Sequence, residues 1–192
     1  MGGETTARPL RADARRNRDR LVAEARAAFE QDGVTASLED VAARAGVGIG
    51  TLYRHFPTRE ALLEAVLRER FDALGAEART LLGHARPREA LITWAHGFAA
   101  AGTTFRGLTA ALSATLRDES SALHASCVSM RAAGEALLAR AQHSGEIRAD
   151  LTVIDLSTLV FGVAWAYEQN SGWGPGDLDR LFRLLFDGLT AR

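Results

Sequence analysis

The sequence predicts an all-α protein in two parts, a small three-helix unit followed by a larger helical bundle. Three observations carry that expectation. The 192 residues are 47% hydrophobic with only four prolines, rich in alanine, leucine and arginine and free of long alternating β-branched runs, a composition that suits helices. Apolar residues recur at the i, i+3, i+4, i+7 spacing in one segment after another. The stretch from Leu38 to Leu63, LEDVAARAGVGIGTLYRHFPTREALL, reads as a helix, a tight glycine turn and a second short helix.

Taken in order, residues 1–12 read as a disordered basic arm. A first helix over 13–32 buries Leu21, Ala25, Ala28 and Phe29 and ends at Gly33. Ser37 is the expected N-cap of the second helix, with Asp40 standing in for the acid of a capping box. Leu38, Val41, Ala42 and Ala45 share its apolar face, and Gly46 ends it because a left-handed residue costs glycine nothing. Val47 plugs the core. The third helix, about 48–56, buries Leu52 and Phe56 and turns Thr51, Tyr53, Arg54 and His55 outward, and Pro57 stops it. Residues 13–58 are thus expected to form one domain and 59–192 the other.

Thr58 caps a long fourth helix from Arg59 to about Leu82, whose apolar side includes Leu62, Leu63, Val66, Leu67, Phe71, Leu74, Ala78 and Leu81. With no flexible linker, it is the expected lever between domains. Pro87 suits the first turn of a fifth helix running to about Ala101. Further helices are predicted over 105–117, 121–143, 153–169 and 177–189. The last two are apolar over wide arcs, so each needs cover on more than one side. Pairing with a second copy of the chain in a two-fold, four-helix interface would supply it. The alternative is that both lie at the centre of a monomeric bundle.

The net charge of −1 argues against a protein that coats nucleic acid by charge alone. The local pattern is different: residues 8–20 carry six arginines, Arg16 among them, against two aspartates. Such a run is either a solvated tail or an arm laid along phosphates or into a minor groove. Both can hold, since such an arm would order only on DNA; separately, the second helix of the helix–turn–helix is narrow enough for a major groove. Gly48, Gly50 and Thr51 would let the backbone approach bases and phosphates closely, and the helix N-terminus favours phosphate.

The run AGVGIGTLYRHFPTREALLEAV resembles the signature of the TetR/AcrR family of bacterial transcriptional regulators, and Arg20 to Gly33 matches that family's first helix. The resemblance implies a three-helix DNA-binding domain and a helical C-terminal domain that dimerises and binds a small effector. It assigns Tyr53, His55 and Arg59 to phosphates, with Ser37 assisting, and puts Ile49, Gly50 and Thr51 nearest the bases. Arg54 and Gly48 complete the expected DNA-binding set. Gly48 stands where the family usually has serine or threonine, and Val34 where it often has an aromatic residue. The function implied is a ligand-responsive regulator, most simply a repressor, bound to a pseudo-palindromic operator as a dimer and released by an effector. An activator, or an architectural DNA binder without a ligand, remains a reading of the same residues.

In the family, helices five to eight enclose the effector. Here Trp94, Phe98, Phe105, Leu108, Leu112, Met130, Leu137, Phe161 and Trp165 would wall the pocket, with His96, Thr104, Ser113, His124, Glu168 and Gln169 as polar candidates. The competing reading is that aromatics at helical spacing are core. His124 and Cys127 could make half a metal site, but no second ligand pair stands nearby, so neither a metal nor a cofactor is expected. The single cysteine excludes an intramolecular disulfide and suits a reducing cytoplasm. No signal peptide or membrane span is expected, because the N-terminus is polar and the longest apolar stretch, 156–167, is too short. No nucleophile elbow, HExxH, Walker loop or calcium loop is present, and Gly46, Gly48 and Gly50 do not fit a dinucleotide fingerprint, so no enzyme is expected.

Overall fold

The computed structural model describes residues 7–104, 112–169, 172–174 and 176–191, and of 7–12, 102–104 and 113 the backbone alone. Among these residues all regular structure is helical. The elements are α1 (Ala7–Asp32), a 3₁₀ turn (Gly33–Thr35), α2 (Leu38–Arg44), α3 (Ile49–His55), α4 (Arg59–Leu81), α5 (Pro87–Thr104), α6 (Ser113–Arg117), α7 (Ala122–His143), α8 (Val153–Gln169) and α9 (Asp177–Gly188). The expected sixth helix is described only from Ser113; its residues 105–111 lie outside the described residues. None of the described helices is long and apolar enough to cross a membrane.

The expected disordered arm is corrected over its second half, because α1 begins at Ala7 rather than Asp13. Alanine, arginine and leucine are strong helix formers. Pro9 falls in the first turn, where its missing N–H would have had no intrahelical partner. Residues 1–6 lie outside the described residues.

The described residues up to Leu67, with 112–114, form one compact unit, and Arg68–Thr104 with the residues from Thr115 onward form the other. The division falls inside α4, between Leu67 and Arg68.

In the first unit, α1 buries Leu21, Val22, Ala25, Ala28 and Phe29, α2 buries Leu38, Val41 and Ala42, and α3 buries Leu52. Two glycines with positive φ shape the corners: Gly33 at +72° ends α1 and Gly46 at +70° ends α2. At Gly46 the termination is a full Schellman motif, with the Gly46 N–H donating to the Ala43 carbonyl and the Val47 N–H to the Ala42 carbonyl, both at 3.0 Å. Ser37 caps α2 as expected, its Oγ accepting from the Asp40 N–H at 3.2 Å, while the hydroxyl itself faces Glu39 Oε2. Glu39 thus accepts from the cap's hydroxyl, a contact distinct from the reciprocal backbone bond of a capping box.

In the second unit the core gathers Leu74, Leu91, Trp94, Leu137, Leu138, Leu156, Val160, Phe182 and Phe186. Trp94 sits at its centre. Its indole N–H donates to the Leu74 carbonyl at 3.2 Å, and its ring lies against Gly134 of α7, where an added Cβ would come within 2.4 Å of the ring. Only glycine admits that approach. The turn after α7 repeats the Schellman arrangement at Gly145 (φ +76°). Gln142 Nε2 then donates to the Arg148 and Leu151 carbonyls at 2.9 and 2.8 Å, shaping the connection to α8. Thr152 and Asp155 form a reciprocal capping box at the start of α8: the Asp155 N–H donates to Thr152 Oγ1, and the Thr152 N–H to the Asp155 carboxylate. The Thr152 hydroxyl, which donates to the Asp155 carboxylate at 2.6 Å, and then the Thr152 N–H lower the Asp155 pKa below its ordinary value.

Candidate functional site

The first candidate surface is the outer side of α3. Leu52 and Phe56 are buried four residues apart, so the helix is anchored from behind. Ile49 and Tyr53, also four apart, face outward, Tyr53 at 46% exposure. Gly48, Gly50 and Arg54 are exposed, while Thr51 and His55 are half-buried at the edges of the same face. The N-cap, Gly48, offers no side-chain acceptor to the first N–H groups. Placing residues 52 and 56 inward turns 50, 53 and 54 outward, while Ile49, three residues before Leu52 and the first residue of the helix, is exposed at 36%.

Arginines from α1 and α4 brace the unit. The Arg18 guanidinium lies over the Phe56 ring, 5.4 Å from its centroid. Arg59 Nη1 donates to the Val34 and Ala36 carbonyls at 3.0 and 2.6 Å. Arg59, expected at a phosphate, thus holds the main chain just ahead of the α2 cap. Arg16 is exposed and paired with Asp13 on its own helix.

The predicted effector pocket is redistributed. Trp94, Met130 and Leu137 are buried core residues and Leu112 is buried. Phe98 is half-buried and stacks on Trp94, ring centroids 5.5 Å apart. Phe161 and Trp165 lie at the surface of α8, 38% and 55% exposed, with Leu156, Val160 and Ala164 on the inward stripe, and neither lines the cavity between α5, α8 and α9. His124 is a cap. Its Nδ1 donates to the Leu116 carbonyl at 2.7 Å, at the end of α6. Phe105 and Leu108 lie outside the described residues, as do the side chains of Thr104 and Ser113, and Gln169 is exposed. Burial pushes the Cys127 thiol up, opposed by the charge of Arg131. Among the described residues no group of three metal-ligating side chains occurs.

A cavity of about 390 Å³, open on one side to solvent, lies between α5, α8 and α9. Its described lining is His96, Ala99 and Ala100 from α5, Ala164, Tyr167 and Glu168 from α8, and Leu178 and Phe182 from α9. Of the expected pocket residues, His96 and Glu168 reach it. The His96 ring lies 4.4 Å from that of Phe182, and its Nδ1 is 3.7 Å from Asp179 Oδ1. The Tyr167 hydroxyl donates to the Gly174 carbonyl at 3.2 Å, and its ring stacks on Trp173. Sequence reasoning missed the contribution of α9. The signal was its wide apolar arc, read as covered by the core on one side and by a second copy on the other, with no cavity between.

A helix–turn–helix followed by a second helical unit that contains a cavity is the plan of a two-domain helical DNA-binding protein. Residues 21–66 match the family described as bacterial regulatory proteins, tetR family, and residues 86–191 match a C-terminal domain described as transcriptional regulator SbtR-like. The chain belongs to the TetR family of transcriptional regulators. It is similar to the TetR transcriptional regulator SCO0520 of Streptomyces coelicolor, at 36% identity over 91% of this chain and 98% of that one, with a TM-score of 0.71. A TetR transcription regulatory protein of Mycobacterium vanbaalenii is 35% identical over 95% and 100% of the two chains, with a TM-score of 0.70. Among curated relatives, an HTH-type transcriptional regulator of Staphylococcus aureus is 33% identical over 81 residues, 41% of this chain and 42% of its own length. The match thus spans about two fifths of that curated relative.

Proposed function

We propose that this chain is a ligand-responsive transcriptional repressor that binds a pseudo-palindromic DNA operator as a homodimer and releases it when a small effector binds. The observation that carries the reading is α3: two buried anchors, Leu52 and Phe56, behind an exposed face of Ile49, Gly50, Tyr53 and Arg54. That face suits a major groove, where its small residues admit close approach and Ile49 offers apolar contact to a thymine methyl. Tyr53, His55 and Arg54 hold phosphates, with Ser37 and Arg16 at the flanks, and Gly48 and Thr51 sit nearest the backbone and bases. Phosphate contacts position the protein without specifying sequence, so discrimination is modest and relies in part on DNA shape.

The homodimer reading is supported by Ile154, Phe161 and Trp165, spaced seven and four residues apart on the outer side of α8, with Leu184 exposed on α9. In such a dimer two copies of α3 enter successive major grooves roughly 34–36 Å apart. The effector occupies the cavity between α5, α8 and α9. A coupling of about 1–3 kcal/mol between effector and operator suffices for roughly five- to 150-fold induction.

Selection of bound fragments from the source genome tests this directly. A recovered set sharing an inverted repeat, retained in a salt-sensitive way and lost when an effector is added, is the expected result. No retention of any duplex overturns the regulator reading. Retention that no metabolite extract relieves favours the architectural reading instead, and an operator upstream of a promoter whose output rises with binding marks an activator.

A further inference from the structure

From the cavity's chemistry we infer the effector class: an organic cation, an amine carried on an apolar body. This rests on reading the cavity as the effector site. The wall is apolar apart from three groups. Of these, the Tyr167 hydroxyl is engaged with the Gly174 carbonyl and presents mainly its ring. His96 stacks against the buried Phe182 and has an Asp179 carboxylate oxygen 3.7 Å from its Nδ1. Glu168 is half-buried and has no hydrogen-bond or ion-pair partner among the described residues.

The described wall therefore offers one carboxylate, that of Glu168, one imidazole, and no arginine or lysine; the Asp179 carboxylate beside His96 is exposed and outside the lining. A carboxylate-bearing ligand would bring like charge against Glu168 in a partly water-excluded space. A neutral apolar ligand would cover that carboxylate without pairing it, which is costly. An ammonium group pairs it in a charge-assisted hydrogen bond, and the Phe182 and Tyr167 rings suit both the apolar body and the charge. At about 390 Å³ the cavity falls in the range of small-molecule sites.

The test is calorimetric titration of the full chain with three isosteric probes, phenylbutylamine, phenylbutanol and phenylbutyrate. The amine is expected to bind at least about tenfold tighter than the alcohol, a difference of about 1.4 kcal/mol, and the carboxylate weakest. Glu168→Gln should bring the amine-to-alcohol ratio close to one. Ala100→Leu, which narrows the cavity, should weaken the amine. The inference is overturned if the carboxylate equals or exceeds the amine, if no probe binds, or if amine binding survives Ala100→Leu undiminished. The wild-type series decides it even should a variant fail to fold. Duplex retention is measured separately: its loss sinks the regulator reading, whereas an operator released by a metabolite extract but by no amine sinks only the effector class.

Discussion

Two helices, α3 and α8, solve the same inward problem and differ outward. Each buries a stripe at four-residue spacing, Leu52 and Phe56 behind α3, Leu156, Val160 and Ala164 in α8. Outward, α3 shows glycine, tyrosine and arginine with one apolar residue, Ile49, at 36% exposure, whereas α8 shows a row of three, Ile154 at 61% with Phe161 and Trp165. Burial holds the helix in place, and the outward residues carry the information about what meets it. A face of small and hydrogen-bonding groups fits a polyanion that must be approached closely, while exposed large apolar side chains fit another apolar surface.

Changes to the inward stripes should produce the largest effects and should not distinguish the two helices. Leu52→Ala and Leu156→Ala are each expected to cost about 2–5 kcal/mol of stability, read by denaturant unfolding. A much smaller loss for either would mean that its stripe is not core. The outward face of α8 should behave in the opposite way. Phe161→Glu with Trp165→Glu should leave the fold intact by circular dichroism yet weaken self-association by about 2 kcal/mol or more, read as a monomeric mass in sedimentation. If that double variant stays dimeric, the contrast between the two faces fails.

At the corner before α3, Gly46→Ala forces a side chain into a φ of +70° and should cost about 1–2 kcal/mol. Thermal melting would check it. Tyr53→Phe, on the outward face of α3, should be the mildest, lowering affinity for every duplex alike by about 0.5–1.5 kcal/mol with stability unchanged. A change in base preference at constant affinity would place Tyr53 at the bases and not the phosphates.

Local signals made the first unit legible. The Ser37 cap, the Gly46 turn and the Leu52 and Phe56 spacing act within a few residues of themselves, and the structure has all three. The role of Arg59 was not legible in the same way, because its partners, the Val34 and Ala36 carbonyls, lie more than twenty residues away in sequence. In the second unit, helix limits followed from periodicity, Gly145 and Pro87. The pocket did not, since periodicity gives a stripe without saying whether its neighbour is core, cavity or solvent. Trp94 and Phe161 are both aromatic residues on helical stripes; one is sealed against Gly134 and the other is at the surface.

The closeness of Trp94 to Gly134 has a consequence for how this family branch can diverge. A methyl at 134 is incompatible with the indole where it stands, and a smaller ring at 94 opens a void that glycine cannot fill. The two positions must therefore drift jointly. Relatives bearing alanine or serine at 134 should have traded the tryptophan for a slimmer side chain, and the pair should register as correlated in any deep set of homologues.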